Sequence, residues 1–164
     1  MTFHREKSLI ILSGKEKQKI IDLLKKQYGI HKLKGVLLRR GTERIFLFQG
    51  SFSANKIQDL EKVVPIERAG IYFGKIQEDK KGYEFFRLSI DGIHLLQNQI
   101  SKGIFELNKR QALEFLHGNE LNINSKEKGF LIMKYKDDFI GTGKASAEKI
   151  SNFLPKNRRL REKS

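Results

Sequence analysis

The chain has 164 residues, with 33 Lys+Arg against 19 Asp+Glu, a formal net charge of +14 and no cysteine. That length fits one domain or two small lobes, and the missing cysteines exclude disulfides, thiolate metal sites and a cysteine nucleophile. Residues 1–91 hold 19 cations against 11 acids and residues 92–164 hold 14 against 8, so the excess is not a basic tail and favours a polyanionic partner over plain solubility.

Ser13-Gly14-Lys15-Glu16 reads as a capping box, and Ile20, Ile21, Leu23, Leu24 and Tyr28 follow at helical spacing until Gly29 ends the helix. Lys32–Arg40 and Glu43–Gln49 are predicted to form a hairpin across Arg40-Gly41-Thr42, because Val36, Leu38, Ile45 and Leu47 are β-prone and a glycine sits at the turn. Ser53 is expected to cap a short helix through Lys62 with Ile57 and Leu60 inward. Pro65 closes that helix, and Ile66 to Ile76 reads as extended. After the polar turn 78–82, Glu84–Ile90 suits a strand ending at Asp91-Gly92, and Ile93 to Gln97 a short helix.

A lobe boundary is expected between Asp91 and Gly103. Beyond it, Ile104–Leu107 reads as a strand, and Asn108 caps a helix from Lys109 to His117 with Ala112, Leu113 and Leu116 on one face. Phe130–Lys136 and Phe139–Ala145 form a second expected hairpin across Asp137-Asp138. Short strands with single helices predict an α+β fold, with a small sheet lobe followed by a partly closed barrel lobe.

In Ile140-Gly141-Thr142-Gly143-Lys144, the two glycines would let an RNA backbone approach while Lys144 meets a phosphate. A β-bulge or barrel corner needs glycine equally. The segment is not a phosphate-binding Walker loop, because the required spacing is absent and Ala145 stands where a hydroxyl would be. Asn152, Lys156, Arg158, Arg159 and Arg161 lie in a dense basic C-terminal stretch that adds counterion-release contacts, unless it is a frayed tail. Lys32, Lys34, Arg39, Arg40 and Arg44 make a second basic cluster on the first hairpin, which solvated strand faces also resemble. His4, His31, His94 and His117 lack metal-ligand spacing, and no nucleophile constellation is visible, so no metal, no cofactor and no enzymatic activity are expected. No apolar run reaches the roughly 20 residues that span a bilayer, and no secretory segment leads the chain, so a cytoplasmic protein without membrane partners is expected.

Gly118-Asn119-Glu120-Leu121, Gly129-Phe130-Leu131-Ile132-Met133-Lys134-Tyr135, Ile140-Gly141-Thr142-Gly143-Lys144 and Asn152-Phe153-Leu154-Pro155-Lys156, with Arg158 and Arg159, stand in an order that resembles a known domain. It is the C-terminal PUA-like RNA-binding domain of the RsmF/Fmu-type (NOL/NOP) rRNA 5-methylcytosine methyltransferases. Ala69-Gly70-Ile71-Tyr72-Phe73-Gly74-Lys75 and Phe105-Glu106-Leu107 with Ala112-Leu113-Glu114-Phe115-Leu116 extend the similarity, which covers about residues 67 to 160, whereas residues 1–64 carry no recognised match.

The resemblance implies RNA contact by Lys144, Asn152, Lys156 and Arg158, and a division into an N-terminal α/β lobe (1–95) and a PUA-like domain (96–164). Those methyltransferases use a cofactor-binding Rossmann domain and cysteine attack on the pyrimidine; neither is present here, so methylation by this chain is not expected. The resemblance instead implies a stand-alone version of the module, as in small archaeal PUA-containing proteins. Its expected partners are structured rRNA or tRNA, and an RNA methyltransferase or ribosome-assembly factor. The alternative is a protein-interaction subunit that supplies its PUA-like lobe in trans to a methyltransferase.

Overall fold

The computed structural model describes residues 9–161. Helix α1, Gly14–Tyr28, begins where the sequence predicts. The Glu16 amide donates to Ser13 Oγ at 3.3 Å, and the Ser13 amide donates to Glu16 Oε2 at 2.9 Å. Gly29, at φ 77°, ends the helix in the left-handed region.

Five antiparallel strands stand in chain order, β1 (Ile10–Ile11), β2 (Val36–Arg40), β3 (Arg44–Phe48), β4 (Ile71–Glu78) and β5 (Glu84–Leu88). Successive residues of a strand point to opposite faces, and both faces are covered. Leu37, Ile45 and Leu47 meet Ile20, Leu24 and Tyr28 of α1, while Leu38 and Phe46 meet Ile57 of helix α2 (Ala54–Val63).

Four expectations in this half need correction, the first being the start of the hairpin, where β2 begins at Val36 and not at Lys32. Leu60 is 44% exposed rather than inward, because α2 rests on the sheet chiefly through Ile57. The extended segment begins at Ile71, five residues later than Ile66. Strand β5 ends at Leu88, because Ser89 Oγ accepts from the Gly92 amide at 3.0 Å and starts helix α3 (Ile90–Leu96), which makes Ile90 a helical residue.

The second sheet has the order β6 (Ile104–Glu106), β7 (Gly129–Tyr135), β8 (Asp138–Ala145) and β9 (Ile150–Asn152), with β6 parallel to β7. Its hairpin turns at Lys136-Asp137, one residue before the expected turn, with Tyr135 facing Asp138 and Lys136 at φ 53°. Helix α4, Lys109–Leu116, carries the capping box of Asn108 and Gln111 and buries Ala112 and Phe115, one turn apart. Leu113, expected inward, is 45% exposed because it lies about 100° round the helix from Ala112.

Strand β7 joins the two sheets by alternation. Phe130 and Ile132 enter the core built on α1, whereas Leu131 and Met133 face Phe115, Ile150 and Leu154. The two halves are also tied by hydrogen bonds. Thr142 Oγ1 donates to the Leu88 carbonyl at 2.9 Å, and the Ser101 amide donates to the Tyr28 carbonyl at 3.0 Å. Tyr28 itself is fully buried and donates its hydroxyl to the Phe86 carbonyl at 2.8 Å; desolvation holds its pKa far above the ordinary value.

Candidate nucleic-acid interface

The C-terminal basic segment is docked, not frayed. A short 3-10 turn at Lys156–Arg158 follows Pro155, and the Leu160 amide donates to the Leu116 carbonyl at 2.9 Å, pinning the segment to the end of α4. Arg159 lies across Gly118, where an added Cβ would stand 2.5 Å from the arginine Cδ, and its Nε donates to the Leu154 carbonyl at 3.0 Å. Arg158 reaches Asp91 at the start of α3, 2.8 Å away. Lys156 and Arg161 are exposed and hold no carboxylate partner among the described residues.

Asn152 is positioned differently. Its Nδ2 donates to the carbonyls of Phe115 (2.7 Å) and Asn119 (2.9 Å), and its Oδ1 accepts from the Leu154 amide at 2.8 Å. These bonds stitch β9 to the α4 terminus, so the side chain shapes the basic edge from within.

Gly141 and Gly143 are buried. An added Cβ would stand 2.9 Å from a Phe115 ring carbon at Gly141, and 2.5 Å from Ile150 Cγ2 at Gly143. The register shift between Met133 and Lys134 leaves Ile140 unpaired beside them. Close packing and a bulge therefore account for both glycines, and the buried Thr142 between them leaves Lys144 as the exposed residue of the run. The Lys144 ammonium sits 5.4 Å from the centre of the Phe130 ring, a cation over an aromatic face.

On the first hairpin the predicted cluster divides. Arg39 points to the α1 face and meets Glu16 at 3.3 Å, and Arg40 donates to the Glu67 carbonyl. The Lys32 amide and carbonyl bind the Gln99 side chain, the Lys34 carbonyl accepts from Gln49, and both lysine side chains belong to exposed residues. Arg44 is exposed and faces Lys75, which in turn faces Arg87. The last two were missed because each sits alone among apolar neighbours, so no run of basic residues announces it.

Glu43 is the one carboxylate paired to that group among the described residues, 2.9 Å from Lys75. The hydrogen bond and charge of Lys75, with the nearby charge of Arg87, hold its carboxyl below the ordinary value of 4.5. No cluster of three or more His, Asp or Glu side chains suited to a metal ion occurs among the described residues, and no helix among them is long and apolar enough to cross a membrane.

Comparison of the sequence with known proteins finds a likeness to one domain type. Residues 102–160 match the family described as the methyltransferase RsmF PUA domain. Over 148 residues the chain is 29% identical to ribosomal RNA small subunit methyltransferase F of Psychromonas ingrahamii (strain DSM 17664 / CCUG 51855 / 37), a stretch covering 86% of this chain and 28% of that relative. The likeness therefore extends into the N-terminal half, beyond the part in which the sequence showed a resemblance. The fold is α+β and includes a PUA-like domain.

Proposed function

We propose that this protein binds structured RNA, rRNA or tRNA, and does so without catalysing a reaction, in ribosome biogenesis or RNA modification in the cytoplasm. The observation that carries this reading is the match of residues 102–160 to the RsmF PUA domain, whose segment holds Lys144, Lys156, Arg158 and Arg159. Residues 1–95 serve as an α/β lobe preceding the PUA-like domain at 96–164. Lys144, Lys156 and Arg161, which have no carboxylate partner among the described residues, offer their charges to phosphates, and Arg158 and Arg159 flank them. Gly141, Gly143 and Asn152 contribute by shaping the edge. Phosphate contacts set affinity and register on RNA without reading sequence.

The test is fluorescence anisotropy of a labelled RNA stem-loop across a salt series. Wild-type affinity should fall steeply with salt. Replacing Lys156, Arg158 and Arg159 together by Ala should weaken binding and lower the slope of log K against log salt by roughly 2 to 3, since each phosphate contact contributes about 0.7 to 0.9. Unchanged binding in the triple variant removes this edge from the interface. Co-purification with a methyltransferase that survives nuclease treatment would favour the role of a lobe supplied in trans.

A further inference from the structure

The register of the N-terminal sheet places one cation on each of four successive strands. Arg40 faces Arg44 across β2 and β3, Arg44 faces Lys75 across β3 and β4, and Lys75 faces Arg87 across β4 and β5. Directly opposed residues of antiparallel strands project from the same face of a sheet. The four therefore form a row perpendicular to the strands, about 14 Å long at the usual strand spacing of about 4.8 Å.

Like charges at directly opposed positions destabilise a sheet. Folding alone does not favour four in succession. Glu43 bridges to Lys75, while Arg40, Arg44 and Arg87 have no carboxylate partner among the described residues.

The row also continues past the edge of the sheet. The Arg87 guanidinium lies 4.5 Å from the centre of the Phe153 ring, Phe153 meets Phe130 edge-on at 5.6 Å, and Lys144 sits over Phe130. Two aromatic rings thus link the last cation of the N-terminal sheet to the exposed lysine of the C-terminal sheet. An aromatic face holds a cation in place and leaves its charge available.

The geometry points to a phosphate rail, Arg40, Arg44, Lys75 and Arg87 leading to Lys144, that takes the sugar–phosphate backbone of RNA across the N-terminal lobe. This inference rests on the RNA-binding reading of the C-terminal edge and extends it to a second surface. A linear array of single charges suits a phosphodiester chain. The row offers none of the apolar centre on which a protein interface is built.

The test uses the full chain and a fluorescein-labelled RNA stem-loop, titrated at several KCl concentrations. The variant Arg44→Gln/Lys75→Gln/Arg87→Gln should bind more weakly by about a hundredfold or more at about 0.1 M salt, with the slope lowered by about 2 to 3. The charge-conserving Arg44→Lys/Arg87→Lys variant should keep the wild-type slope. Without RNA, the glutamine variant should melt close to wild type, because the relief of repulsion offsets the loss of the exposed Glu43–Lys75 pair and of the Arg87–Phe153 contact.

If wild type binds and the glutamine variant keeps the full slope, the rail is overturned while the C-terminal edge stands; if wild type does not bind RNA, the RNA-binding reading itself fails. Should the triple variant not fold, Arg87→Gln alone decides: a slope lower by about 1 supports the rail, and an unchanged slope overturns it. Displacement of the RNA by polyglutamate as readily as by unlabelled RNA of equal charge would overturn the choice of RNA as the ligand.

Discussion

Thr142 donates its hydroxyl to the carbonyl of Leu88 at 2.9 Å, joining the middle of β8 to the last residue of β5. Thr142 is only 4% exposed, so this bond lies where water cannot replace it. Thr142→Val keeps the shape and removes the donor, and should destabilise the fold by about 1 to 3 kcal/mol through the stranded carbonyl. Chemical denaturation with an unchanged m-value would measure this.

Asn152 makes three internal hydrogen bonds, to Phe115, Asn119 and Leu154. Asn152→Ala should therefore lower the unfolding temperature, with a loss of roughly 1 to 3 kcal/mol. Its RNA-binding salt slope should match wild type under conditions where the variant is folded. Weaker binding at an unchanged slope would show instead that the side chain touches RNA, since a neutral amide releases no counterion.

At Gly143, a methyl group would meet Ile150 Cγ2 at 2.5 Å and the Ser151 carbonyl at 3.1 Å. The backbone oxygen cannot move aside without disturbing the β8–β9 pairing. Gly143→Ala should be destabilised by about 1 to 3 kcal/mol through overpacking, read by thermal melting.

Glu16, Glu43 and Glu120 all titrate below the ordinary 4.5. Glu16 is lowered first by its hydrogen bond from the Ser13 backbone, Glu43 by Lys75, and Glu120 by Lys149. A lowered folded-state value means that each carboxylate stabilises the fold above the unfolded value, and that this contribution is lost as pH falls through the folded value. Stability should thus decline on acidification below about pH 4.5, and Glu16→Gln should flatten that decline, checked by melting temperature against pH.

Glu43→Gln frees Lys75 from its partner and removes the one carboxylate paired to the cation row among the described residues. RNA affinity should rise roughly two- to fivefold, in keeping with the modest strength of an exposed ion pair. Equal or weaker binding would place the row outside the RNA interface.

What the sequence determined by itself is what neighbouring residues decide together. The capping box of Ser13 and Glu16, the cap at Asn108, the stop at Gly29 and both hairpins were legible, because each depends on contacts a few residues apart. The excess of positive charge was also legible, and so was the resemblance of the C-terminal half.

What only the tertiary structure decided involves groups distant in the chain. The inward face of α2 and α4 depends on which strands they meet, which is why Leu60 and Leu113 were misplaced. Strand β9 is three residues long and is defined by its partner β8. Arg44, Lys75 and Arg87 are scattered in sequence, and strand register alone brings them into one row. A shift of one residue would turn a strand's side chains to the opposite face, so the basic surface follows from pairing across the sheet and cannot be read from any local run of lysine and arginine.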